Sequence, residues 1–109
     1  MTFEEYQKLA RTTAKYPKIG ENFVYPAMGL AGESGEVLNK IKKIFRDDGG
    51  IVKDERLAEI KKELGDLLWY IAQLCTEFGV PLDEVAVDNI KKLSERFEKN
   101  KILGDGDNR

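Results

Sequence analysis

Four carboxylates in this sequence are spaced to act together. Glu33 and Glu36 lie three residues apart, and Glu63 and Asp66 repeat that interval further along. On a helix, residues three apart share a face, so each pair aims its oxygens in one direction. At 100° per residue, Glu59, Glu63, Asp66, Tyr70, Gln73 and Glu77 occupy one arc of such a helix. If the two segments pack antiparallel, the pairs face each other across a groove. Four carboxylates at close range do not all ionise unless something positive lies between them. Hard oxygen ligands suit magnesium or manganese, and magnesium keeps waters that a phosphate can displace.

A solvated acidic face is the plainer account of any single pair, with Lys40 as a ready partner for Glu36. The combination carries more weight because Gly32, Gly35 and Gly65 sit beside these carboxylates. A glycine inside a helix costs up to about 1 kcal/mol relative to alanine. Their placement leads us to expect close approach by another helix or a ligand. On spacing and glycines alone, metal site and solvated face both remain open.

Composition narrows the chemistry. The 109 residues suit one domain, with 41% hydrophobic and 35% charged residues, a balance typical of a charged helical protein. Eighteen basic against 20 acidic residues give a net charge of −2, which argues against a dedicated nucleic-acid binder. The chain has no histidine. That removes the usual general base, the serine and cysteine triads, most zinc sites and the Glu-x-x-His pairs of di-iron bundles. Cys75, the only cysteine, lies in an apolar stretch and reads as a buried structural thiol. No apolar run is long enough to span a bilayer, and the N-terminus has no signal-peptide pattern, so a cytoplasmic location is expected.

Four helices must position the carboxylates, and no strand-like alternation competes with them. Thr2 and Glu5 form a capping-box pattern opening a helix to about Ala14. Pro17, Gly20, Asn22 and Pro26 then interrupt, and a second helix is expected from Ala27 to Phe45, stopped by Asp47-Asp48-Gly49-Gly50. The third runs from Asp54 to Phe78, where Ile60, Leu64, Leu67, Ile71, Leu74 and Phe78 trace what reads as a core stripe. The fourth follows Pro81 and carries Ala86, Ile90, Leu93 and Phe97 before fading near Lys99. Four helices in about 100 residues imply an all-α four-helix bundle. Residues 1–103 form the expected domain, and 104–109 a polar, flexible tail.

The segment Gly29-Leu-Ala-Gly-Glu33-Ser-Gly-Glu36-Val, followed by Lys62-Glu63-Leu-Gly-Asp66-Leu-Leu-Trp69-Tyr70, resembles the paired Glu-x-x-Glu and Glu-x-x-Asp signature of MazG-like nucleoside triphosphate pyrophosphohydrolases. Asn89-Ile-Lys-Lys92 with Arg96 is similar to that family's phosphate-contacting stretch, so the likeness spans roughly residues 25–100. The resemblance implies a four-helix fold assembling as homodimers or homotetramers. It implies cleavage of a (d)NTP between the α and β phosphates to a monophosphate and pyrophosphate, in nucleotide house-cleaning. Glu33, Glu36, Glu63 and Asp66 would then be the Mg²⁺ ligands, with Mn²⁺ a substitute, and one of them would also activate water.

Lys43, Tyr70, Asn89, Lys92 and Arg96 are the candidate substrate contacts. Lys40 reads better as a salt-bridge partner, and Trp69 as a core or dimer contact. No Walker-type phosphate loop and no strand-led Gly-x-Gly-x-x-Gly is present. The rivals are a non-enzymatic helical adaptor that docks through its acidic face, and a nucleotide sensor without turnover.

Overall fold

A computed structural model describes residues 1–99 and contains α1 (Phe3–Thr12), α2 (Val24–Arg46), α3 (Asp54–Glu77) and α4 (Leu82–Glu98), with no strand among them. The tail expected at 104–109 lies outside the described residues. The capping box at α1 is present: Glu5 N–H donates to Thr2 Oγ1 and Thr2 N–H to Glu5 Oε1, both at 3.1 Å.

α2 starts three residues earlier than the sequence pattern suggests. Asn22 Oδ1 accepts the Tyr25 N–H at 3.1 Å and so satisfies one of the helix's unpaired N-terminal donors. Pro26 falls in the first turn, where its missing N–H leaves no hydrogen bond broken. Gly49 and Gly50 adopt left-handed φ values of 67° and 78°, and Gly50 N–H reaches back to Ile44 O at 2.9 Å to close the helix.

α2 and α3 form an antiparallel hairpin. α1 packs on α3 and α4, while α4 touches α3 lightly and does not reach α2. Gln7 pins α1 to the α3–α4 turn: its amide nitrogen donates to Val80 O and Thr76 Oγ1, and its oxygen accepts the Leu82 N–H. Ala10, Ala72, Cys75 and Leu82 form the buried cluster, with Tyr6 and Trp69 packed against it. Trp69 is therefore a core residue, and its indole N–H donates to Thr13 Oγ1 at 2.8 Å. Cys75 is buried as expected, and burial pushes its thiol pKa up.

Two packing expectations need correction. Leu64, Ile71 and Phe78, half of the supposed core stripe, are 50%, 36% and 59% exposed. Periodicity identified an apolar face, but α1 and α2 cover only one flank of it. The second concerns the glycines as points of helix approach: a Cβ added at Gly32, Gly35 or Gly65 would meet no protein atom within 4 Å, which leaves only the ligand alternative for these three. The close approach occurs at Gly29 instead, where an added methyl would overlap the Tyr70 ring.

Candidate metal centre

Antiparallel packing sets the register of the α2–α3 groove. Lys40 Nζ meets Glu59 Oε2 at 3.8 Å near the hairpin turn, and Gly29 meets Tyr70 near its open end. Between these crossings, one oxygen each from Glu33, Glu63 and Asp66 lies within 4.8 Å of the others. Lys40 is thus the structural ion-pair partner expected, though with Glu59 rather than Glu36. Arg56 shares Glu59 and also holds Asp48 at 2.9 Å, tying the hairpin turn to α3.

Glu33 sits in a setting that opposes its ionisation. Burial pushes its carboxyl pKa up. Proximity to Glu63, close enough to share a proton, and the charges of Asp66, Glu63 and Glu36 push it the same way. When both glutamates are ionised, Glu33 Oε2 is shut off from water with no hydrogen-bond partner. A carboxylate oxygen shut off from water and facing two more carboxylates favours either a shared proton or a cation, and three hard oxygens are a donor set for a divalent one. These residues fit a magnesium-type ion.

Of the four carboxylates singled out by spacing, three converge. Glu36 is exposed and stands outside the triad, one turn further along α2, though its charge reaches Glu33. Tyr70 borders the cluster, its phenol pKa raised by burial and then by Tyr25, Glu33 and Asp66. Lys43 is half-buried near the end of α2, where its charge bears on Asp47. On α4, Asn89 is exposed, Lys92 half-buried and Arg96 buried, and that helix does not touch α2.

Glu77 shares the acidic arc on α3 but performs a different task. Its carboxylate accepts Asn22 N–H at 2.6 Å, Gly20 N–H at 2.9 Å and Arg11 Nη2 at 2.8 Å. It latches the α1–α2 connection rather than joining the cluster. A groove of about 720 Å³ between α1 and the start of α4 is also remote from the carboxylates, its walls including Gln7, Arg11, Val80 and Val87. Gln7 is engaged there in hydrogen bonds to the backbone of the α3–α4 turn.

The sequence matches the MazG nucleotide pyrophosphohydrolase domain over residues 27–100, a span that contains all four carboxylates. The chain belongs to the MazG family. It is also 43% identical to the Gene 37 protein of Mycobacterium phage L5 over 114 aligned positions, covering the whole of both chains. That relative's name specifies no activity. No solved structure matches the chain. Family membership agrees with the all-helical fold and suggests nucleotide pyrophosphohydrolase activity, and the acidic cluster could hold a divalent ion. No helix among the described residues is long and apolar enough to cross a membrane.

Two features escaped the sequence reading. Gly29 stood within the signature without a role, yet it is the one glycine of the groove that admits a neighbouring ring. Tyr25 drew no attention, although it lies four residues before Gly29 and eight before Glu33, on the same ridge of α2. That ridge was the available signal, obscured because the helix was expected to begin at Ala27.

Proposed function

We propose that this MazG-family domain hydrolyses nucleoside triphosphates between the α and β phosphates, releasing a monophosphate and pyrophosphate. Glu33, Glu36, Glu63 and Asp66 would hold Mg²⁺, or Mn²⁺ in its place. The observation carrying this reading is Glu33 Oε2, buried and unpartnered beside the oxygens of Glu63 and Asp66. An adaptor using an acidic docking face has no use for a buried orphan oxygen. When bound, the metal would neutralise phosphate charge and lower the pKa of a coordinated water.

The residues divide the remaining work. Glu33 is half-buried, whereas Asp66 is the exposed member of the triad, and to Asp66 we assign the orientation of the attacking water. Glu36 reaches the same ion by turning in from its exposed position. Tyr70 walls the site on the side of Gly29. Contacts from Asn89, Lys92 and Arg96 to phosphate are proposed from the family resemblance, and that from Lys43 from its place ten residues after Glu33. Incubation with Mg²⁺ and a panel of (d)NTPs should yield monophosphate and pyrophosphate from at least one, and chelation should stop it. Release of orthophosphate with a diphosphate would place the cut at the wrong bond and sink the proposal.

Self-association belongs to the same reading. The described chain has a radius of gyration of 16.8 Å, against the ~13 Å of a compact domain this long. Leu57, Leu64, Ile71 and Phe78 recur every seven residues along α3, and all are exposed, as are Leu38, Ile41 and Phe45 on α2. Heptad repetition of apolar residues is the pattern of a helix-packing seam. A homodimer or homotetramer would cover it. Light scattering at micromolar concentration should find such an assembly, and Leu64→Asp should dissociate it. An active monomeric wild type would refute this.

A further inference from the structure

Tyr25, Gly29 and Glu33 step by four along α2, while Asp66, Tyr70 and Gln73 step by four and three along α3. Where these ridges cross, the Tyr70 ring lies against Gly29. One turn beyond, Tyr25 stacks on Tyr16 with ring centroids 4.9 Å apart and planes 7° from parallel. Tyr16 is buried, and Tyr25 is 43% exposed, so the open part of the Tyr25 ring lies away from Tyr16. Tyr16 is fixed in turn: Arg11 Nη1 donates to its hydroxyl at 2.7 Å. Along these ridges the carboxylates are therefore followed by Tyr70 and then by a flat aromatic surface backed by a second ring. Eight residues of helix separate Glu33 from Tyr25, roughly 12 Å along the axis. That is the scale on which a nucleotide holds its planar base away from its phosphates.

We propose that Tyr25 is the platform on which the substrate's base stacks while its phosphates occupy the carboxylate cluster. The inference rests on the pyrophosphohydrolase reading and adds a base subsite to it. Its backing by Tyr16 means that little side-chain freedom is lost on binding. Every base presents a π-face, so stacking adds affinity without selecting strongly among bases. Tyr70 fills the interval between platform and cluster, and Gly29 is the residue small enough to let it lie there.

The test compares two probes in the presence of Mg²⁺: a non-hydrolysable α,β-imido nucleoside triphosphate and inorganic tripolyphosphate, which has no base. Tyr25→Leu should weaken the imido nucleotide about tenfold or more, leave tripolyphosphate binding unchanged, and raise KM for a cleaved nucleotide more than it lowers kcat. Tyr25→Phe and Tyr25→Trp keep the ring and should retain nucleotide affinity, so a merely unstable Tyr25→Leu protein does not decide the matter. The platform is overturned if Tyr25→Leu binds the imido nucleotide like wild type, or if it loses both probes equally. It is likewise overturned if the substitution only changes the assembly state. A wild type that cleaves nucleotides while Tyr25→Leu is indistinguishable from it would remove the platform alone. A wild type that neither binds nor cleaves any nucleotide removes the parent reading as well.

Discussion

Replacing Glu33 by glutamine is expected to abolish turnover while leaving the metal-free protein at least as stable as wild type. Burial and three acidic neighbours, Glu63, Asp66 and Glu36, oppose ionisation of Glu33. Neutralising it removes like-charge repulsion, and the new amide can donate to Glu63, so melting in chelator should stay level or rise. Loss of a metal-ligating oxygen should lower activity by on the order of a hundredfold or more, because disturbing even the partners of metal ligands costs 10- to 100-fold. Adding magnesium should raise the melting temperature of wild type by linkage but not that of Glu33→Gln. Asp66→Asn and Glu36→Gln should lose activity in the same way, with a smaller stability gain in chelator because both are exposed. Glu98→Gln, on the exposed end of α4, is the control and should match wild type in every assay. Melting curves with and without Mg²⁺, paired with product assays, decide the point. If Glu33→Gln melts far below wild type in chelator, the carboxylate is structural. If it keeps both activity and the magnesium shift, the ligands lie elsewhere.

That experiment tests the part of the site most legible in the sequence. Local signals placed the helices well, since caps and glycine stops are read from a few neighbouring residues: Thr2 with Glu5, Gly49-Gly50, and Gly79 with φ 68°. Carboxylate spacing also located the cluster, because three-residue intervals on two antiparallel helices leave few other arrangements. What pattern could not supply was the identity of the opposite surface. The α3 stripe is apolar by period whether its partner is α2 or another chain, and Leu64 and Phe78 stay half or more exposed even though Phe78 stacks on Phe23 at the start of α2. Glycines were ambiguous for the same reason: Gly32, Gly35 and Gly65 border the carboxylates in sequence, but only Gly29 lies opposite an aromatic ring. Glu77 fell on the acidic arc by helical angle. Its role depends on the path of the 13–23 connection, which has no periodicity to read.

Glu77 supports the second large expected effect, and this one is on stability. Its side chain is 1% exposed and pairs with Arg11, 26% exposed, at 2.8 Å. Burial would raise the Glu77 carboxyl, but donors from Asn22, Arg11, Gly20 and Tyr16 overcome that and hold its pKa at about 2. Glu77→Ala would leave two backbone N–H groups without acceptors and Arg11 without its counter-ion. Breaking a buried pair from one side typically costs about 3–5 kcal/mol. Since Asn22 also caps α2, the start of the helix that carries Tyr25 and Glu33 should loosen too. The pH dependence follows from the direction of the shift. A carboxyl depressed in the folded state stabilises fully above its unfolded pKa, near 4.5, and loses that contribution as pH falls towards 2. Wild type should therefore weaken through this acid range. Glu77→Gln should start from lower stability at neutral pH and lose less of it on acidification. Urea melts at pH 7, 4 and 3 read both effects. A cost below about 1 kcal/mol at pH 7, with an acid limb parallel to that of wild type, would show that Glu77 is not the latch of the α1–α2 connection.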